Sequence, residues 1–201
     1  SAFPTIHLHA FSPMEIDSLC EKSGQEPEEM VVRLRAAGVG SIPGTAAEIL
    51  VNRVRRKISR NKLPVERWVR IVRAAHLAGL RSSATILFGH VETWDDIRAH
   101  FEVLRRIQGE TGGFTEFVPL AFVPYENRLG KILAGRHGGM VRLEDKIRRR
   151  ARRLYPLARL ILGDLIPNLQ TSWVKLGVEG AAQSLHWGCN DFGGTLYEES
   201  I

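Results

Sequence analysis

His7 and His9 stand two residues apart in "TIHLHAF", and on an extended backbone such side chains share a face. Paired imidazoles can bind a polar ligand, move a proton near neutral pH or ligate a metal. No third ligand lies at a telling distance, so the pair reads as substrate contacts or hydrogen-bonded core residues. No metal site is assigned to this chain. In "TILFGHVETW", Gly89 precedes His90, and Glu92 follows two residues on. Glycine there would let a ligand approach the backbone, and His90 is a candidate general acid or base. "SIPGTAAEIL" joins a Pro-Gly turn to Thr45 and Glu48. Glu48 is expected in the first turn of a helix whose N–H groups can hold an anion or carboxylate.

Three further stretches carry isolated polar groups. "GGFTEFVPLAFVP" is an apolar run broken by Glu116, Pro119 and Pro124. Each proline removes a ladder donor, so the strand either lies at an edge or ends where something binds. In "NLQTSWVKLG", alternation sets Gln170 and Ser172 on one face, and Lys175 can meet a carboxylate or phosphate as a point charge. Asn190 and Asp191 in "GCNDFGGT" complete the set.

The elements that must position these groups alternate between strand and helix. "TIHLHAF" reads as a strand and "SPMEIDSLCEK" as a helix with Ser12 and Glu15 in a capping box and Pro13 at its first position. "EPEEMVVRLRAAG" reads as a helix, "VGSI" as a strand, and "AAEILVNRVRRKI" and "PVERWVRIVRAAHLAG" as helices. The last shows an apolar stripe of Trp68, Ile71, Val72 and Ala75. "RSSATILFG" is a strand, followed by a helix capped by Thr93 and Asp96. After the strand at residues 112–124 come a polar, glycine-rich loop around residues 125–142 and an arginine-rich helix. A strand in "NLQTSWVKLG", a helix in "VEGAAQSLHW" and the segment "GCNDFGGT" close the chain. The rhythm predicts a parallel sheet covered by helices, with about six strands and the polar residues at strand C-termini. An incomplete (β/α) TIM-type barrel is expected, formed by residues 1–201 as one domain.

The bulk numbers fit that class. Of 201 residues, 44% are hydrophobic and 25% charged, an ordinary globular balance. No apolar run reaches membrane-spanning length, and Cys20 and Cys189 are far apart, so a reducing cytoplasm is expected. The net charge of +6 comes mainly from "RVRRKISRNK" and "KIRRRARRL". Without interleaved aromatics, both read as solvated helix faces rather than a nucleic-acid surface.

Side by side, "IHLHAFSPMEI", "SIPGTAAEIL", "GLRSSATILFGHVE", "TGGFTEFVPLAF", "NLQTSWVKLG" and "GCNDFGGTLYEESI" resemble the C-terminal two thirds of radical SAM enzymes. Within that superfamily they are most similar to the 4-hydroxyphenyl transferases of deazaflavin (FO) biosynthesis, relevant to coenzyme F(420). "GTAAEI" at Gly44–Ile49 favours these over the similar futalosine-pathway menaquinone enzymes (dehypoxanthine futalosine cyclase and aminofutalosine synthase), which typically read "GGGAEI".

The resemblance implies S-adenosyl-L-methionine, a 4Fe-4S cluster on a CxxxCxxC motif, and an electron donor. It also implies L-tyrosine and 5-amino-6-(D-ribitylamino)uracil as substrates, and the other FO synthase subunit or a fused N-terminal half as partner. The motif is absent, so the chain is expected to be a fragment lacking its cluster-binding strands and incomplete alone. By the same resemblance, Ser41, Thr45, Thr85, Gly89, Glu92, Val118 and Pro119 would contact S-adenosylmethionine, with Glu48 and His90 as catalytic candidates. His7, His9, Glu116, Gln170, Ser172, Lys175, Asn190 and Asp191 would be left for the substrates.

Overall fold

The computed structural model describes residues 5–45, 47–59 and 61–194. Its elements run β1 (Leu8–His9), α1 (Pro13–Ser23), α2 (Pro27–Ala36), β2 (Val39–Ile42), α3 (Asn52–Ile58) and α4 (Val65–Leu77). They continue with β3 (Arg81–Phe88), α5 (Trp94–Thr111), β4 (Phe114–Ala121), α6 (Arg128–Arg136), α7 (Met140–Leu162) and α8 (Trp173–Leu185). Capping boxes start two of the helices. The Glu15 carboxylate accepts the Ser12 N–H at 2.7 Å while Ser12 Oγ accepts the Glu15 N–H, and Thr93 and Asp96 repeat the arrangement at α5. Each box satisfies N–H groups that have no partner inside the helix.

The four strands form one parallel sheet in the order β1-β2-β3-β4. The helices cover one face of it. Ser82 Oγ meets His76 of α4 at 2.9 Å, Phe117 packs edge-on against Phe101 of α5, and Phe88 does the same against Tyr155 of α7. Because side chains alternate along a strand, Ser83, Thr85, Leu87, Glu116 and Val118 point to the opposite, inner face. One continuous apolar core lies between sheet and helices, with Trp68, Ile71, Phe101 and Tyr155 fully enclosed. None of the described helices is long and apolar enough to cross a membrane.

The sheet departs from the expected six strands. The fifth and sixth segments survive only as parallel bridges, Phe117 to Leu169 and Gln170 to Asp191. "NLQTSW" alternates, but Ser172 ends the extended run. Its carbonyl accepts the N–H groups of Lys175 and Leu176 and opens α8. A short alternating stretch cannot by itself be told from a helix entry. Lys175 therefore sits on a helix, which is kinked at Gly177.

Two further expectations change. The helix read over "AAEILVNRVRRKI" begins only at Asn52. Upstream backbone groups find other partners: Glu48 O accepts the Leu87 N–H and His100 Nδ1 accepts the Leu50 N–H. The loop around residues 125–142 contains α6, capped by Asn127, whose Oδ1 accepts the Gly130 N–H at 2.7 Å. Its glycines lower helix propensity, and that hid it. The segment "TLYEESI" and Ala46 lie outside the described residues.

Candidate active site

A cavity of about 710 Å³ opens at the C-terminal ends of β3 and β4. Leu87, His90 and Phe122 form its floor, Glu48 and Lys62 one wall, and Asn127, Arg128 and Ile132 of the α6 region the other. Glu48 and Lys62 pair at 2.7 Å, with both side chains partly open to solvent. An ion pair at a cavity mouth can exchange its partner for a ligand carboxylate or hydroxyl at small cost, because exposed pairs contribute little. This is the end of the sheet where parallel α/β folds place their ligands.

The wall carrying Glu48 is held by tertiary contacts rather than by helix formation. Glu48 has a positive φ of 45°, a strained setting for a non-glycine residue. Arg55 of α3 reaches back beneath it, buried to 2% exposure, donating from Nε to Leu63 O at 2.8 Å and from Nη1 to Ala47 O. One arginine of a stretch that reads as a solvated face is thus the pin of the cavity wall. Arg55→Met leaves two buried carbonyls without donors, each worth about 1–3 kcal/mol. We expect a loss of about 2–4 kcal/mol in urea unfolding, with the cavity wall released.

His90 does not stand as a free base. Its Nε2 lies 3.0 Å from Leu87 O, which only accepts, so Nε2 carries the proton. Nδ1 accepts the Val91 N–H at 2.7 Å. Burial holds the ring's pKa below its ordinary value, against the opposing pull of Glu92. The imidazole is a neutral wall of the cavity with both nitrogens engaged.

Glu92 is enclosed as well. Its two oxygens accept the Gly89 and His90 N–H groups at 2.8 Å each, and Arg150 of α7 approaches at 3.0 Å. The carboxylate shapes the turn after β3 through these contacts. Gly89 is required there by its φ of 95° and by Ile147, whose side chain would lie 3.0 Å from an added Cβ.

Thr85 and Thr45 serve the same wall. Thr85 Oγ1 donates to Gly44 O at 3.0 Å, and Thr45 O accepts the Trp68 indole N–H at 3.3 Å. The Phe122 N–H donates to Phe88 O, whereas Phe117 exchanges bonds with Asn168 and Gln170. By alternation Pro119 faces away from β3, beyond the point where the fifth segment turns off. Its carbonyl accepts the Tyr155 hydroxyl at 3.2 Å. No ladder donor is missed, and this carbonyl is occupied by α7. Val118 lines the inner face beside it.

His7, His9, Ser41 and Glu116 come together in a second cavity of about 360 Å³ on the inner face. The remaining candidates line neither cavity. Gln170 donates to Asp191 at 2.9 Å, and Asn190 Oδ1 accepts from Leu169 N and Arg159 at 2.8 Å each. These contacts stitch the two single-residue bridges that replace strands. Ser172 and Lys175 begin α8. Sequence reading missed Lys62, Phe122 and Asn127; the asparagine cap three residues before Gly130 was the available signal.

Comparison with known proteins follows the same lines. Residues 111–201 match a family described as the CofH/MqnC C-terminal region. The whole chain is 46% identical to the 5-amino-6-(D-ribitylamino)uracil–L-tyrosine 4-hydroxyphenyl transferase of Methanococcoides burtonii, covering 55% of that protein. Over 198 residues it is 42% identical to the protein of the same name from Methanococcus aeolicus, of which it covers 52%. It is 49% identical to the FO synthase of Mycobacterium leprae over 98% of the chain but 22% of that protein. The chain thus spans about half the length of the transferases it matches.

Proposed function

We propose, from the match of residues 111–201 to the CofH/MqnC C-terminal region, that the chain is the substrate-facing part of a radical SAM transferase. The reaction proposed moves the 4-hydroxybenzyl group of L-tyrosine onto 5-amino-6-(D-ribitylamino)uracil. The observation that supports it most is the cavity at the strand ends, where an apolar floor meets a partly open Glu48–Lys62 pair. That donor set fits S-adenosylmethionine. Leu87 and Phe122 offer apolar surface to the adenine, Glu48 an acceptor for ribose hydroxyls, and Lys62 a cation for the carboxylate. When bound, S-adenosylmethionine supplies the radical chemistry.

The 4Fe-4S cluster does not fit this chain. Cys20 and Cys189 are both buried, one on α1 and the other beyond α8, and two separated thiols cannot supply its ligands. Its ligands fall to the part of the transferase outside this chain, and the electron donor and the other FO synthase subunit, separate or fused, act as partners. The protein's own work is to hold the reactants in register and keep water out. Neutral His90 and the enclosed Glu92 keep the floor rigid, and the α6 region closes one side.

The test is an anaerobic assay of the complete polypeptide carrying this chain, following 5′-deoxyadenosine and tyrosine together. Both should change only when the ribitylaminouracil is present with tyrosine. Turnover with a futalosine-type substrate, and none with tyrosine, would replace this reading by the menaquinone one. Lys62→Ala should raise the S-adenosylmethionine requirement tenfold or more.

A further inference from the structure

Lys146, Arg149, Arg150 and Arg153 of α7 and Trp94 at the start of α5 enclose a hollow of about 200 Å³ that shares no residue with either cavity above. No carboxylate lines it. Spacings of three and four residues set the four cations on one face of the helix. Lys146 and Arg150, like Arg149 and Arg153, stand four apart, where like charges destabilise a helix. Among the described residues Lys146, Arg149 and Arg153 form no ion pair. Arg148, on another face of α7, meets Glu144 and Asp145. The repulsion is thus relieved on one face of the helix and left standing on the other.

Part of the hollow is held in place by the fold. Arg150 lies 4.8 Å from the centre of the Trp94 ring and 3.0 Å from the enclosed Glu92 carboxylate, so its position and its charge are both matched. Lys146 Nζ donates to His137 Nε2 at 3.0 Å. A ring nitrogen accepts only when it carries no proton, so this partner orients the ammonium without neutralising it. The charges of Lys146, Arg149 and Arg153 remain uncompensated around one concavity.

We propose that this hollow binds a diphosphate group, free or carried on a nucleotide. A single phosphate monoester carries about −1.5 to −2 charge at pH 7, and two linked phosphoryl groups come closer to matching three cations. The Arg149 and Arg153 guanidinium forks suit paired phosphoryl oxygens, and Lys146 adds a point charge. The small volume admits a compact anion rather than a track of nucleic acid. The site stands independently of the transferase reading.

Calorimetric titration of the complete polypeptide carrying this chain with inorganic pyrophosphate, at fixed ionic strength, tests the site. Pyrophosphate should bind at least tenfold more tightly than sulfate, and Arg149→Gln and Arg153→Gln should each weaken it tenfold or more. Melting temperatures of both variants should hold or rise, because each removes a like-charge neighbour. Arg148→Gln makes the same charge change on the paired face of α7 and should not alter the affinity. Adenosine diphosphate bound as tightly as pyrophosphate, with the same two losses, supports the site and assigns it a nucleotide-borne group. Binding of pyrophosphate alone supports it as a site for the free anion. No pyrophosphate binding, no preference over sulfate, or an equal loss in Arg148→Gln overturns the proposal. So does a loss confined to Lys62→Ala, which would place the anion in the strand-end cavity.

Discussion

Between pH 7 and pH 4 the protein should lose about 3 kcal/mol of stability or more, through buried histidines that stay neutral. His76 lies between Thr111 Oγ1 at 2.8 Å and Ser82 Oγ at 2.9 Å, under the edge of Phe114, and burial pushes its pKa down to about 4. His100 is wholly enclosed, accepts the Leu50 N–H, and is pushed down to about 3 by burial and by the Arg55 charge. In the unfolded chain both return to about 6.5. Over the interval between these values the unfolded state binds more protons, so unfolding free energy falls as pH falls. Stability is intact above about pH 6.5 and declines from there through pH 4. His76 alone accounts for about 3 kcal/mol, at 1.36 kcal/mol per pKa unit. Urea midpoints at pH 7.5, 6, 5 and 4.5 give the slope directly. A flat profile down to pH 5 would mean that these rings are solvated rather than buried.

Gly44→Ala should cost the protein at least about 3 kcal/mol and distort the strand-end cavity. An added Cβ would lie 1.6 Å from Ser83 O, a backbone atom that no rotamer change can move aside. Two bonds depend on this contact: Gly44 N–H to Ser83 Oγ at 2.9 Å and Thr85 Oγ1 to Gly44 O at 3.0 Å. Separating the segments leaves buried groups unpaired at about 1–3 kcal/mol each. The same segment leads to Glu48, so ligand affinity at the cavity should fall with stability. Gly109→Ala is the control. It lies within α5 with nothing within 4 Å of an added Cβ, and alanine there should stabilise by about 0.5–1 kcal/mol. Thermal melts of the two variants should move in opposite directions; parallel losses would refute the packing argument at Gly44.

The two predictions mark how far the residues speak for themselves. Capping at Ser12 and Thr93, the apolar stripe of α4 and the parallel order of four strands follow from signals within a few residues of each element. So does the shared face of His7 and His9, because alternation along a strand is a local rule, whereas Glu116 of β4 joins them only through the sheet. Other features depended on partners distant in sequence. Residues 47–51 carry helix-forming types, yet β3 and α5 take their backbone groups, so α3 starts late and Glu48 lands at a cavity mouth. Arg55 looks like its solvated neighbours and is instead buried beneath that wall. Glu92 and the Pro119 carbonyl meet Arg150 and Tyr155 of α7, a helix whose inward face only packing could define. Local chemistry determined the capped helices and the polar faces of the long strands. The tertiary structure decided which polar groups remain free, because a buried donor or acceptor takes the nearest partner that the packed helices provide.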